Sequence, residues 1–252
     1  MRFCVLASGS KGNALLVDAD GRRVLVDCGL TPKVLRERLQ YVGFELTDLH
    51  GLLITHAHGD HVAGALRLSG ALRLPCYATQ ETQRQLSRRG GLPHFRVVVP
   101  GVGFQVAGID VMATALPHDA PGTVAYVLEH RGERLGICTD LGRPEPHVAA
   151  ALGGCDTLHL EFNHDEDMLW GGPYPQRLKQ RVAGGLGHLS NRQAAELLSQ
   201  IDTSRLKRLL LAHLSEVNNR PSLAMEAARQ VLAGTGVRIL TAPQYEATRW
   251  LD

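Results

Sequence analysis

Apolar residues in the first third of the chain fall in short β-rich runs, Arg2–Ala7, Ala14–Asp18 and Arg22–Asp27. They are separated by Ser8-Gly9-Ser10-Lys11-Gly12-Asn13 and by Asp20-Gly21. Runs of this length between small polar residues predict strands joined by tight turns. Thr31-Pro32 then opens a helix whose apolar positions Leu35, Leu39 and Val42 share one face. Gly51–Thr55 predicts a fully apolar strand, followed by a dense polar cluster and a helix reaching about Leu68. Further strands are predicted near Cys76 and at Arg96–Val99, Ile109–Ala113, Val124–Glu129, Leu135–Cys138, Thr157–Phe162 and Lys207–Ala212. Ser190–Ser199 and Ser222–Ala233 predict helices. The first begins with the capping-box pattern Ser190-x-x-Gln193, and Gly234 stops the second. Strands and helices alternate without a repeat or low-complexity linker, which predicts one mixed α/β domain over residues 1–252 with helices on both sides of the sheet.

Composition adds exclusions. At 44% hydrophobic and 21% charged residues, the chain is neither disordered, collagen-like nor a coiled coil. No apolar run approaches the roughly 20 residues of a membrane span. The apolar stretch after Met1-Arg2 is too short for a secretory leader, so a cytoplasmic location and no membrane partner are expected. Five scattered cysteines without a Cys-x-x-Cys pair argue against a disulfide framework or a thiolate zinc site, and predict small buried residues. A net charge of +2 does not by itself require a nucleic-acid partner. The unusual feature is the twelve histidines.

Four of the metal-capable side chains lie in Thr55-His56-Ala57-His58-Gly59-Asp60-His61, directly after the apolar strand. In extended backbone His56 and His58 point the same way and can meet one ion. Asp60 and His61 fall where the chain turns into a helix and can face a second ion. Imidazole with carboxylate suits zinc, manganese or iron rather than calcium or magnesium. Such a cluster behind a buried strand would carry desolvation and repulsion costs unless something bound it.

The pattern His-x-His-x-Asp-His after a strand resembles the signature of the metallo-β-lactamase fold superfamily. Asp27 in Val-Asp-Cys-Gly, His118 in Leu-Pro-His-Asp, Asp140 in Cys-Thr-Asp-Leu-Gly and His213 in Leu-Ala-His-Leu-Ser resemble its other motifs in order. The resemblance covers essentially the whole chain and implies a four-layer αβ/βα sandwich with a dinuclear site. It assigns His56, His58 and His118 to one divalent ion and Asp60, His61 and His213 to the other, with Asp140 bridging and Asp27 bracing the histidine loop. A bridging carboxylate implies a hydrolase of phosphate esters or thioesters, working through a hydroxide activated by the ions.

Three stretches narrow the branch. Gly187-His188-Leu189-Ser190-Asn191-Arg192-Gln193-Ala194-Ala195 resembles the ribonuclease Z stretch whose histidine assists at the scissile phosphate. Leu160-Glu161-Phe162-Asn163-His164-Asp165 resembles the stretch whose glutamate orients that histidine. Free N–H groups and Ser190 at this helix start fit an anion site, although a helix cap is the plain reading of Ser190. The run Glu161–Asn191, with the opening Ser-Gly-Ser-Lys-Gly-Asn, is similar to the YycJ (WalJ) group of bacterial proteins. That similarity implies a DNA exonuclease, acting 5′ to 3′ and using manganese or zinc, with iron also admitted. Asp60, His188 and Glu161 would be catalytic, and Ser190, Asn191, Lys179 and Arg181 would bind substrate.

Charge adds modest support. From Asp167 to Glu196 the intervening charges, Arg177, Lys179, Arg181 and Arg192, are all basic. Arg84, Arg88 and Arg89 form a second basic cluster that reads as a solvated helix face. The Ser8–Asn13 loop reads equally as a hairpin turn or a backbone phosphate contact. His50, His94, His130, His147 and His159 lack partners at ligand spacing and read as structural, while His164 lies near Glu161 without a required ligand role. Two alternatives remain at this point. One is a small-molecule phosphodiesterase or glyoxalase-like thioester hydrolase, which would not need the basic face. The other is a metal-dependent scaffold, against which seven ligands for two ions argue, since structural zinc sites are closed and four-coordinate.

Overall fold

Strand residues alternate between two faces, and in this chain both faces are apolar, so each sheet must be covered on both sides. The computed structural model describes residues 1–252 and resolves the pattern into two sheets. The first holds β1 (Arg2–Ala7), β2 (Ala14–Ala19), β3 (Arg22–Val26), β4 (Gly51–Leu53), β5 (Cys76–Thr79) and β6 (Phe95–Val98), in chain order. Its first three strands are antiparallel and β3 to β6 run parallel. The second holds β7 (Phe104–Val106), β8 (Ile109–Ala115), β9 (Val124–His130), β10 (Glu133–Cys138), β11 (Thr157–Glu161), β12 (Arg208–Ala212) and β13 (Arg238–Thr241). Here β7 to β10 are antiparallel and β10 to β13 parallel.

The helices are α1 (Pro32–Tyr41), α2 (Gly59–Val62), α3 (Ala65–Leu72), α4 (Gln80–Ser87), α5 (Pro146–Leu152), α6 (Glu166–Gly171), α7 (Gln176–Ala183), α8 (Asn191–Gln200) and α9 (Pro221–Val231). Three apolar clusters show how the layers stack. Phe3, Val5 and Val17 of the first sheet meet Val111, Tyr126, Leu128 and Leu210 of the second in the central core. Their neighbours Cys4, Leu6 and Leu16 face outward onto Leu35 and Leu39 of α1, Leu68 of α3 and Leu86 of α4. On the opposite side Leu158, Leu160, Leu209 and Leu211 face Leu152 of α5, Leu197 and Leu198 of α8, and Ala224 and Ala228 of α9. The order is helix, sheet, sheet, helix, the four-layer αβ/βα sandwich expected. All five cysteines are free and buried. No helix is long and apolar enough to cross a membrane.

Two elements depart from the sequence expectation near the polar cluster. The predicted helix reaching Leu68 breaks into α2 and α3 around Gly64. Gly64 N–H donates to Cys28 O at 2.9 Å, and a Cβ there would lie 2.3 Å from Leu30 O, so the backbones touch and the chain bends around them. The fourth strand ends at Leu53 rather than Thr55, because Thr55 N–H leaves the ladder and donates to Asp27 Oδ1 at 2.8 Å. The sequence pattern also left α5, α6, α7, β7 and β13 unassigned.

Three residues at the carboxyl ends of strands adopt the left-handed region costly to non-glycine residues: Asp27 (φ 59°), Asp140 (φ 62°) and His213 (φ 54°). They turn the chain sharply at one edge of the sandwich, so the loops after β3, β4, β10, β11 and β12 converge there.

At the opposite ends of the strands, Asp156 ties the second sheet together. Its carboxylate accepts from Arg134 N–H (3.0 Å) and Arg205 (2.8 Å) and pairs with Lys207 (3.2 Å). Burial works against the charge, but these donors outweigh it and hold the carboxyl below the usual range. A folded-state value below the unfolded one gives stability that is complete above the unfolded value and lost as pH falls through the folded value. Asp156→Asn should therefore cost about 1–2 kcal/mol in urea unfolding at pH 7, the exposed partners keeping the figure low. The gap between variant and wild type should narrow as pH is lowered from 5 towards 3; a constant gap would refute the assignment.

Candidate metal centre

Thr55 starts the site. Its hydroxyl donates to Asp27 Oδ2 at 2.8 Å and lies 3.0 Å from His56 Nδ1 and 3.2 Å from His61 Nδ1. Asp27 Oδ2 also takes His61 Nδ1 at 2.7 Å, which turns His61 Nε2 inward. His56 is fully buried, and its Nε2 has no hydrogen-bond partner. His118, positioned by Gly187 O on Nδ1 (3.0 Å), sets Nε2 3.3 Å from His58 Nδ1. His56, His58 and His118 thus form one group of donors.

Asp60, His61 and His213 form a second group, and Asp140 joins both His56 with His61 and His213 with His188 and Glu161. His61 Nε2 lies 3.2 Å from Asp140 Oδ2 and 3.6 Å from Asp60 Oδ2. His213 Nε2 lies 3.5 Å from Asp60 Oδ2 and 3.6 Å from Asp140 Oδ1. Ligands at about 2.1 Å from one tetrahedral ion stand about 3.4 Å apart, so this spacing fits a shared cation. His56 Nε2, His213 Nε2 and Asp140 Oδ2 are buried without hydrogen-bond partners, a set of unused donors that a metal would satisfy.

Electrostatics divide the groups. Burial pushes His56 well below the usual histidine range, with His61 adding to it, and burial also lowers His58 and His118. These three are neutral imidazoles ready to ligate. For Asp140, burial is outweighed by His213 and His61, which hold the carboxyl well below its ordinary value. For His61, burial is outweighed by Asp140 and Asp27, and its value rises well above the ordinary one. His213 rises to about 9 against burial, through Asp140 and Asp60.

The Beta-lactamase superfamily domain family matches residues 22–214, the span from β3 to just beyond His213. The chain belongs to this family. It is a metal-dependent hydrolase of the metallo-β-lactamase fold, and its clusters of histidine and aspartate suit metal binding. Among relatives, Exodeoxyribonuclease YycJ of Bacillus anthracis is 33% identical over 239 residues, covering 94% of this chain and 90% of that protein. Exodeoxyribonuclease WalJ of Streptococcus pneumoniae is 31% identical over 228 residues, covering 88% and 85%. The crystal structure of Zn(2+)-bound PqqB from Methylobacterium extorquens has a TM-score of 0.74 at 19% identity, with 100% of both chains covered.

Beside this metallo-β-lactamase centre, Glu161 is fully buried. Its Oε2 accepts from Leu141 N–H (2.9 Å) and Leu189 N–H (3.3 Å), and its Oε1 takes His188 Nδ1 at 2.8 Å. His188 stacks on His213 with ring centroids 5.2 Å apart, and its Nδ1 is 3.6 Å from Asp140 Oδ1. The expected metal and catalytic residues are therefore gathered at one edge.

The expected substrate-binding residues are placed otherwise. Ser190 caps α8, accepting from Gln193 N–H and donating to Glu166 at 2.8 Å. Asn191 is buried, with its amide exchanging two 2.9 Å hydrogen bonds with Asn219. Lys179 is buried, and its ammonium donates to Trp170 O at 2.6 Å, tying α7 to α6. These three side chains are engaged in holding the loops. Arg181 is exposed at the rim and donates to Asp119 Oδ2 at 2.6 Å.

Asp119 is one residue that sequence reasoning passed over. Its Oδ1 lies 3.3 Å from His58 Nε2 and 3.4 Å from His118 Nε2, and only its adjacency to His118 hinted at this. Asn163 is another, bonded to His213 through Nδ2. Asn13 is the third. Its Nδ2 approaches His61 Nε2 at 2.9 Å, so the Ser8–Asn13 loop supports the centre by a side chain as well as by backbone turns. Ser8 Oγ likewise accepts His213 N–H at 2.9 Å. His164 Nδ1 is buried without a partner, and burial lowers its value to about 4. His50, His130 and His147 bond remote groups: Arg23 N–H, Asp20 and Ala115 O.

Gly29 locks these loops. Its N–H donates to Asn13 O (2.9 Å), and a Cβ would fall 1.7 Å from Asp60 O and 2.7 Å from Asn13 N. Gly29→Ala must push the Asp60 turn outward. It should lose bound metal at least tenfold relative to wild type while keeping the far-ultraviolet circular dichroism of the sandwich. Metal content equal to wild type, measured by plasma emission spectrometry, would show that the turn does not set ligand geometry.

Proposed function

We propose that this chain is a dinuclear phosphodiesterase that removes nucleotides from DNA in the 5′ to 3′ direction. The observation that carries the reading is the His188–Glu161 pair, a sixth imidazole at the edge of the seven residues expected to hold the ions. The names of the two exodeoxyribonucleases that align over most of the chain support the same class. His56, His58 and His118 would hold one ion and Asp60, His61 and His213 the other, with Asp140 between them. Zinc or manganese, or iron, fits imidazole and carboxylate donors. Bound there, two such ions supply a nucleophile at neutral pH and positive charge against the phosphoryl oxygens.

The protein's own groups do the rest. Asp60 has a carboxylate 24% exposed, the most open of the carboxylates in the ligand set, and it is placed to accept a proton from the attacking water. Glu161, fixed by two backbone N–H groups, holds His188 by Nδ1 and leaves Nε2 to protonate or stabilise the departing oxygen. His188 lies just before α8, whose capping box and Asn191 N–H, bonded to His164 O, fix the loop that carries it.

The deciding assay uses 5′-phosphorylated duplex DNA with manganese. Wild type should release nucleotides progressively from the 5′ end, and Asp60→Ala should not. His188→Ala should slow turnover by about 10²–10⁴-fold with bound metal unchanged. Loss of metal in that variant would make His188 a ligand. Inert DNA beside rapid hydrolysis of a small phosphodiester or thioester would replace the nuclease reading with the small-substrate alternative.

A further inference from the structure

The exposed arginines at the carboxyl end of α4 and in the turn after it share a cleft with the metal centre. Arg84, Arg88 and Arg89, with Gln85 and Leu86, line a cleft of about 480 Å³ whose other wall is Ala57 and the metal-centre residue His58. That volume lies in the range of ligand sites, about 300–1,000 Å³. All three arginines are exposed. Arg84 makes a loose pair with Glu81 at 3.6 Å, and Arg88 and Arg89 have no carboxylate within salt-bridge distance. The nearest acid on the His58 side, Asp119, is already paired with Arg181.

The helix is also fixed to the centre it flanks. Thr79 Oγ1 and Gln85 Nε2 donate to Gly122 O (2.9 Å) and Pro121 O (2.7 Å), in the loop that follows His118. Gly122 sits at φ +84°, and a Cβ there would be 2.4 Å from Thr79 Oγ1 and 2.7 Å from Glu81 Cβ, so the loop backbone packs directly on the start of the helix. A cleft with three guanidinium groups, one metal-centre histidine and rigid anchorage to another matches an anionic polymer passing the catalytic edge. Guanidinium forks bind phosphate oxygens in pairs.

We propose that this cleft is the track for the phosphates of a nucleic-acid strand, with Arg84, Arg88 and Arg89 gripping phosphodiesters next to the one being cut. The proposal rests on the nuclease reading for its substrate. Its test is a binding measurement that needs no catalysis. A fluorescein-labelled single-stranded phosphorothioate oligodeoxynucleotide, which resists hydrolysis, is titrated by anisotropy with the metal-loaded protein across a salt series.

Arg88→Ala/Arg89→Ala should bind about tenfold more weakly. Its plot of log affinity against log salt should be shallower than that of wild type by about 1.4, or 0.7 for each lost phosphate contact. Wild-type metal content in this variant would show that the centre is intact. Arg229→Ala/Arg238→Ala removes equal charge from α9 and β13 in the other half of the molecule and should keep the wild-type slope. An unchanged slope in the α4 variant, or an equal change in the control, would overturn the track. A strand held by these arginines but never cut as ordinary DNA would sink the nuclease reading and leave the track standing. Ordinary DNA cut normally by the α4 variant would do the reverse.

Discussion

A buried carboxylate governs this molecule. Asp140 is 1% exposed and has His61, His118, His188 and His213 within 3.2–3.8 Å, each imidazole arriving from a different loop. An isolated carboxylate there would cost several kcal/mol in lost hydration. Only when the loops after β4, β8, α7 and β12 are all in place is that charge surrounded by partners. The two sheets therefore assemble the site as they pack, since the central core of Val5, Val111, Tyr126 and Leu210 fixes which strand ends lie side by side.

Around that carboxylate runs a layer of polar braces that never face solvent. Asp27 and Thr55 orient His56 and His61, Glu161 orients His188, and Asn163 and Ser8 hold His213 by its ring and its N–H. Asp27 and Glu161 are themselves fixed by backbone N–H donors, so the rings they hold are positioned before any ion arrives. This arrangement explains why a loop as distant in sequence as Ser8–Asn13 belongs to the centre.

Much of this was legible in the sequence because it is local or ordered. His56 to His61 follow a strand within six residues, and apolar runs such as Leu209–Ala212 lead into the other site positions, a pattern that survives packing. The same reasoning missed Asp119, Asn13 and Asn163, single polar residues whose meaning arises only when loops from different halves of the chain meet. Nor could it show the partners of Ser190, Asn191 and Lys179. A basic or polar residue near a motif reads as available, yet Asn191 finds Asn219 and Lys179 finds Trp170 O through contacts with no sequence periodicity. For Arg84, Arg88 and Arg89, helical spacing shows an exposed basic face but cannot show that His58 lines the same cleft. Short α5, α6 and α7 lack enough turns for an apolar stripe to stand out.

The left-handed backbone at Asp27, Asp140 and His213 has a consequence for how such a centre changes over evolutionary time. Each position imposes two requirements at once, a particular donor atom and tolerance of a conformation that β-branched and bulky side chains resist. Aspartate, asparagine, histidine and glycine meet the second, and of these only aspartate also supplies an anion. A lineage can thus exchange rim residues, cleft arginines and helix caps one at a time. Asp140 and Asp27 are held by the shape of the chain as well as by their chemistry. Replacing either with a different kind of ligand requires the strand end to be rebuilt in the same step, so diversification of this scaffold is channelled to its rim.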